Sequence, residues 1–328
     1  PVKADLKSFN LKKIPPSIGN LTSLKELNLS GNQLESLPEE IGNLENLEDL
    51  RLIDNKLNAL PESVGRLKKL RELHLSENQI AGLPESLCQL SSLEALYARD
   101  NRLRSLPESI TELERLNVLS LTGNDLQSIP KNIGELHDLT VLLVDVNPLG
   151  GLPQSLKSLN NLERFKAYGS HFKNLPPVFG SLDRLDALFL DRCELYSIAP
   201  DLGHLPRLRA LWLSENALEF LPDELQDLNR LEKLNLSSNN FTHVPPCVAG
   251  MTSLKELNVG ENPLSDYTLE NVGPLREGDN YEGHVRVFVA NLDRARAHCQ
   301  KLLDWRVDDF VDRLLTRGDM TELDWNHP

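Results

Sequence analysis

Residues 21–42 read LTSLKELNLSGNQLESLPEEIG, and the spacing of their apolar positions decides the fold. Leu27 and Leu29 alternate with Glu26, Asn28 and Ser30, the period-two pattern of a short strand with one buried face. Asn32 and Leu34 follow, then the Leu37-Pro38 step and Ile41-Gly42. The same frame returns every 23 residues. Its asparagine recurs as Asn55, Asn78, Asn101, Asn124, Asn147, Asn216, Asn239 and Asn262, while Ser170 and Cys193 fill the two remaining slots. One step back falls on Phe9, inside a partial unit of Phe9, Leu11, Ile14 and Pro15. A fixed period of this length marks a solenoid. No single unit can bury its apolar face, and stacking the units buries a continuous core.

The slot asparagine has a physical task. It sits where the chain turns inward after the strand, and its amide can both donate to and accept from backbone groups of adjacent turns. A buried group deprived of such a partner costs roughly 1–3 kcal/mol. Ser170 and Cys193 can do only part of this work, so the middle of the array is expected to be less well held. Leu-Pro steps begin at Leu37, Leu60, Leu83, Leu106, Leu152, Leu175 and Leu221, and Ile14, Ile129 and Val244 also precede proline. Proline donates no hydrogen bond, which suits an outer face that is not a sheet. The x-x-I-G segment after it is too short for a long helix, and 3₁₀ or single-turn helix is expected there.

The frame L-x-x-L-x-L-x-x-N-x-L-x-x-L-P-x-x-I-G resembles the leucine-rich repeats of intracellular proteins: Ras-binding scaffolds, cell-polarity proteins, plant Ras-group proteins and many bacterial repeat proteins. The resemblance covers residues 10–262. It implies an α/β leucine-rich-repeat solenoid, a horseshoe with parallel strands on the concave face and short helical turns on the convex face. Residues 1–264 are expected to form this domain, as a partial N-terminal unit plus eleven repeats. Chains of this kind usually work as binding surfaces.

The formal net charge of -14 argues against nucleic acid, which needs a basic footprint, and against anionic membrane surfaces. No apolar run approaches the roughly 18 residues of a membrane-spanning helix. The four cysteines, Cys88, Cys193, Cys247 and Cys299, are scattered, with no CxxC, no Cys/His metal spacing and no HExxH. They point to a reducing, intracellular compartment, and to no metal, cofactor or catalytic group. The sequons at Asn20, Asn28, Asn235 and Asn240 arise mainly from the repeat's own Asn-Leu-Ser and Asn-Leu-Thr strings. The start at Pro1, with no methionine, is expected of a processed or trimmed chain, so the absence of a targeting segment says little.

Stripping out the structural columns leaves the residues six, four and two before each slot, which face outward from the strands. At both ends these are small, polar or charged. The middle differs. It carries Tyr97, Tyr168, Phe189 and Trp212, with Val118, Val141, Leu143, Ala187 and Ala210 between them, and Arg99, Arg164, Lys166, Asp145 and Asp191 interspersed. Aromatics make up 5% of the chain, so four on one face is a concentration. Aromatic residues and arginine are the usual anchors of interfaces. The expected site is therefore a protein-binding surface of Tyr97, Arg99, Val118, Val141, Leu143, Asp145, Arg164, Lys166, Tyr168, Phe189, Asp191 and Trp212. A competing reading has the aromatics pack on one another over a looser core. His74 reads as a solvated concave residue.

Beyond Leu264 the composition changes. His284 to Leu315 is dense in apolar residues at helical spacing, and one or two amphipathic helices are expected, ending near Arg317-Gly318. Residues 265–328 would be a mostly helical cap or the start of a further domain. The run Asn262-Pro263-Leu264-Ser265 with Thr268-Leu269, then Tyr281, Gly283, Val285, Val287 and Phe288, resembles the junction of bacterial effector ubiquitin ligases. It implies an alternative, in which the chain is the substrate-recognition part of such an enzyme. The Cys-x-Asp of that family's catalytic centre is absent, since Cys299 is followed by Gln300 and Lys301.

Overall fold

The computed structural model describes residues 2–265 together with the backbone of 275–279 and 285–289. Each repeat contributes one three-residue strand: β1 (Lys3–Asp5), β2 (Glu26–Asn28), β3 (Asp49–Arg51), β4 (Glu72–His74), β5 (Ala95–Tyr97), β6 (Val118–Ser120), β7 (Val141–Leu143), β8 (Arg164–Lys166), β9 (Ala187–Phe189), β10 (Ala210–Trp212), β11 (Lys233–Asn235) and β12 (Glu256–Asn258). All twelve are parallel neighbours in chain order. The register follows the period, so Leu27, Leu50, Leu73 and Leu96 pair in a row and all are buried. The partial unit supplies β1, while Phe9 in its slot position is 64% exposed.

Behind most strands the Pro-x-x-Ile segment forms a 3₁₀ turn, as at Glu39–Asn43 and Glu62–Arg66. The exception is the unit at Leu175-Pro176-Pro177, where the second proline removes another backbone donor and no 3₁₀ helix forms. The glycine of Ile-Gly allows neighbouring turns to meet. A Cβ on Gly42 would lie 2.4 Å from the Ser63 carbonyl oxygen.

The asparagine ladder takes the form its chemistry requires. Asn55 Oδ1 accepts from Leu34 N at 3.0 Å, while its Nδ2 donates to the carbonyls of Leu29 and Leu52 at 3.0 and 3.1 Å. The residue just before every slot has a positive φ, glycine at Gly31, Gly123 and Gly169 and a side-chain-bearing residue at the others, Val146 among them. At the substituted slots the ladder is only partly kept. Cys193 Sγ reaches the Ala167 carbonyl at 3.1 Å, but the fully buried Ser170 hydroxyl finds no partner. Phe165 and Phe179 pack edge to face nearby, with ring centroids 5.4 Å apart.

The C-terminal expectation needs correction. Val285–Val289 is a strand, β14, paired antiparallel with β13 (Leu275–Asp279) and adjoining β12 through Asn258 and Phe288. Val285, Val287 and Val289 alternate and are β-branched, which favours a strand over the helical reading. The expected helical run from residue 290 to 315 lies outside the described residues.

Candidate functional site

Strands stack about 4.8 Å apart. The 3₁₀ turns behind them are bulkier, so the sheet lines the inner, concave side. Each strand presents its first and third residues there, and the repeat's register lines them up across the sheet. Ser120, Leu143, Lys166, Phe189 and Trp212 form one row, and Val118, Val141, Arg164, Ala187 and Ala210 the row beside it. Leu143, Lys166, Phe189 and Trp212 are half-buried, as are Val118 and Val141, and Arg164 is exposed. The rings of Phe189 and Trp212 stack with centroids 5.9 Å apart. The half-buried Tyr168 lies beside them under the Arg192 guanidinium, whose carbon is 5.4 Å from the ring centroid.

The structure separates the aromatic residues. Tyr97 on β5 stands five strands from Trp212 on β10, roughly 24 Å by the strand spacing. Its partner is His74, stacked at 4.7 Å with the rings 10° from parallel. His74 is therefore no solvated residue: its side chain is 16% exposed. Burial, with a smaller effect of the Glu72 charge, raises the Tyr97 hydroxyl above its ordinary pKa. Arg99 is exposed and donates to its neighbour Asp100 at 2.8 Å.

Two expected surface charges are buried. Asp145 is 3% exposed and accepts from Thr122 Oγ1 at 2.9 Å, with Lys166 Nζ 3.4 Å away. Asp191 accepts from the backbone and hydroxyl of Ser214 at 2.8 and 2.5 Å. Burial pushes its carboxyl up to about 6, against the hydrogen bonds from Ser214 that pull it down. Both acids are held against polar groups of the neighbouring repeats, Thr122 and Lys166 for Asp145 and Ser214 for Asp191, whereas Arg99 in the same column stays exposed. Sequence columns alone do not show this, nor the cation over Tyr168, because Arg192 lies one residue before its slot.

Cys88, Cys193 and Cys247 are buried, and burial lifts the Cys193 thiol to about 12. No helix among the described residues is long and apolar enough to cross a membrane.

Family models for a leucine-rich repeat region and for leucine-rich repeats match residues 5–102 and 183–241. A leucine-rich repeat protein of Leptospira interrogans is 30% identical, with 80% of this chain aligned to 78% of that one and a TM-score of 0.59. The chain belongs to the leucine-rich repeat proteins. An internalin of Listeria monocytogenes is similar at 25% identity over 82% of this chain and 76% of its own, with a TM-score of 0.71. A plant peptide hormone receptor, solved in complex with RGF2, is 28% identical over 80% of this chain, with a TM-score of 0.65. The chain spans 48% of that receptor's length. No curated protein matches. The family matches end at residue 241, and the comparisons lend no support to the expected likeness of residues 262–288 to effector ubiquitin ligases. Leucine-rich repeat folds commonly mediate protein–protein recognition.

Proposed function

We propose that the chain is a recognition module that binds a protein partner on the central concave face and carries no catalysis of its own. The supporting observation is the row Leu143, Lys166, Phe189, Trp212, bordered by Val141, Ala187, Ala210 and Tyr168. Apart from the buried Ala187, apolar and aromatic groups there are half-buried on an open sheet, among the charged Arg164, Lys166 and Arg192. Lys166 and Arg192 already pair with Asp145 and Glu215, so such a surface suits an occupant that offers an apolar contact beside an acidic group for Arg164. Tyr97, Arg99 and Val118 extend it toward β5. The buried thiols of Cys88 and Cys193 support placing the protein in a reducing compartment.

The test compares the parent with Trp212→Ala and Phe189→Ala against a partner captured by the parent chain. Each change should weaken binding by about 2 kcal/mol, with far-UV dichroism unchanged. Equal binding by parent and variants would show that the stacked rings serve packing and that the partner sits elsewhere. Loss of fold in Trp212→Ala would likewise make that ring structural.

A further inference from the structure

The N-terminal third of the sheet holds a group that the recognition surface leaves unused. Glu72 and His74 stand two apart on β4 and so share the concave face, and Asp49 on β3 pairs with Glu72 across the ladder. One ligand atom from each lies within 4.8 Å of the others. His74 Nε2 is 3.1 Å from Glu72 Oε2 and 4.0 Å from Asp49 Oδ1. A zinc ion with N and O ligands at about 2.0–2.2 Å sets those atoms roughly 3.0–3.5 Å apart. The His74–Glu72 separation falls in that range, and Asp49 has to close in from 4.0 Å to join it.

The imidazole is held ready. Stacking on Tyr97 fixes its plane, so that the one nitrogen faces both carboxylates. Among the described residues His74 is the ion-pair partner of Glu72. One feature opposes an ion. Arg51 grips Asp49 through Nε and Nη2, the latter at 2.7 Å, and a guanidinium competes with a metal for the same oxygens.

The geometry points to a zinc site formed by His74 Nε2 and one oxygen each of Glu72 and Asp49, with its remaining coordination positions open on the concave face. A mixed imidazole and carboxylate set suits zinc better than the hard, all-oxygen cations. Three protein ligands with an open position make a site that water, or a carboxylate or imidazole from outside, completes. The site stands apart from the central row and does not depend on that reading.

Calorimetric titration of the full chain with Zn²⁺ tests it, each variant being checked by dichroism for its fold. The parent should bind one ion saturably. His74→Ala and Glu72→Gln should each weaken binding by about tenfold or more. Arg51→Met should tighten it, because Asp49 is released. Absence of saturable binding overturns the site. So does undiminished binding in His74→Ala, which would place the ion on other histidines such as His171 beside Glu194. An affinity left equal or lower by Arg51→Met would remove Asp49 from the ligand set and overturn the three-ligand geometry.

Discussion

From Asn32 to Asn147 every slot residue is stitched to the turn before it, whereas at Cys193 the stitching thins to a thiol contact, at Ser170 it lapses, and the strands nonetheless keep their places. β7, β8 and β9 pair in the same register as β2 to β7. Leucines and phenylalanines therefore set the geometry. Asparagine sets how firmly each turn is held. Where Leu103 N is held by Asn124 Oδ1 at 2.9 Å, the corresponding Phe172 N turns to the Cys193 backbone carbonyl at 3.1 Å.

The largest expected effect breaks the regular part. Asn124→Ala removes bonds to Leu103 N, Ala98 O and Leu121 O, all buried. Stability should fall by about 3 kcal/mol in urea unfolding. A loss well under about 1 kcal/mol would mean the ladder adds little to either region.

Next comes the acid near the interrupted slots. The Asp191 carboxyl titrates near 3.8 in an unfolded chain and near 6 in the folded one. Its contribution to stability is thus fully present below about pH 4 and lost as pH rises through about 6, since the native state keeps the proton longer. Asp191→Asn should be free of this dependence. From about pH 4 to pH 7.5 it should gain on the order of 2–3 kcal/mol relative to the parent. Parallel stability curves for the two proteins would sink the assignment.

The smallest effect sharpens the contrast. Ser170→Ala deletes a buried hydroxyl that has no hydrogen bond. The same kind of truncation that costs most at Asn124 should here be neutral or stabilising by up to about 1 kcal/mol. A clear loss would reveal a partner for that hydroxyl and make the two regions alike.

The 23-residue period carries far in this chain. Strand positions, parallel order, side-chain rows and the task of the asparagine all follow from it, because one local pattern repeated in register leaves a single way to stack. Other features depend on neighbours in space. Asp145 and Asp191 look exposed in a column and are buried against Thr122 and Ser214 of the neighbouring repeats. Tyr97 seems to join Trp212 until the strands between them are counted, and its ring goes to His74. Asp49, Glu72 and His74 show no metal spacing along the chain, because the repeat itself supplies their proximity. Reading the column six before the slot beside the column four before it would have brought them together. Val285–Val289 satisfies both helical and alternating patterns over so short a run, and its β-branched residues were the deciding signal.

The backbone before each slot has one more consequence. Left-handed φ values recur there, 51–60° at the non-glycine positions, and Val146, a β-branched residue for which this conformation is most unfavourable, is 51% exposed. A non-glycine residue in that conformation carries on the order of 1 kcal/mol of strain. Glycine occupies three of these positions, so the fold accepts it. Glycine at the others, along a line of mostly exposed side chains, would relieve that strain and raise robustness. Those positions are where drift can exchange durability for surface chemistry while the horseshoe stays as it is.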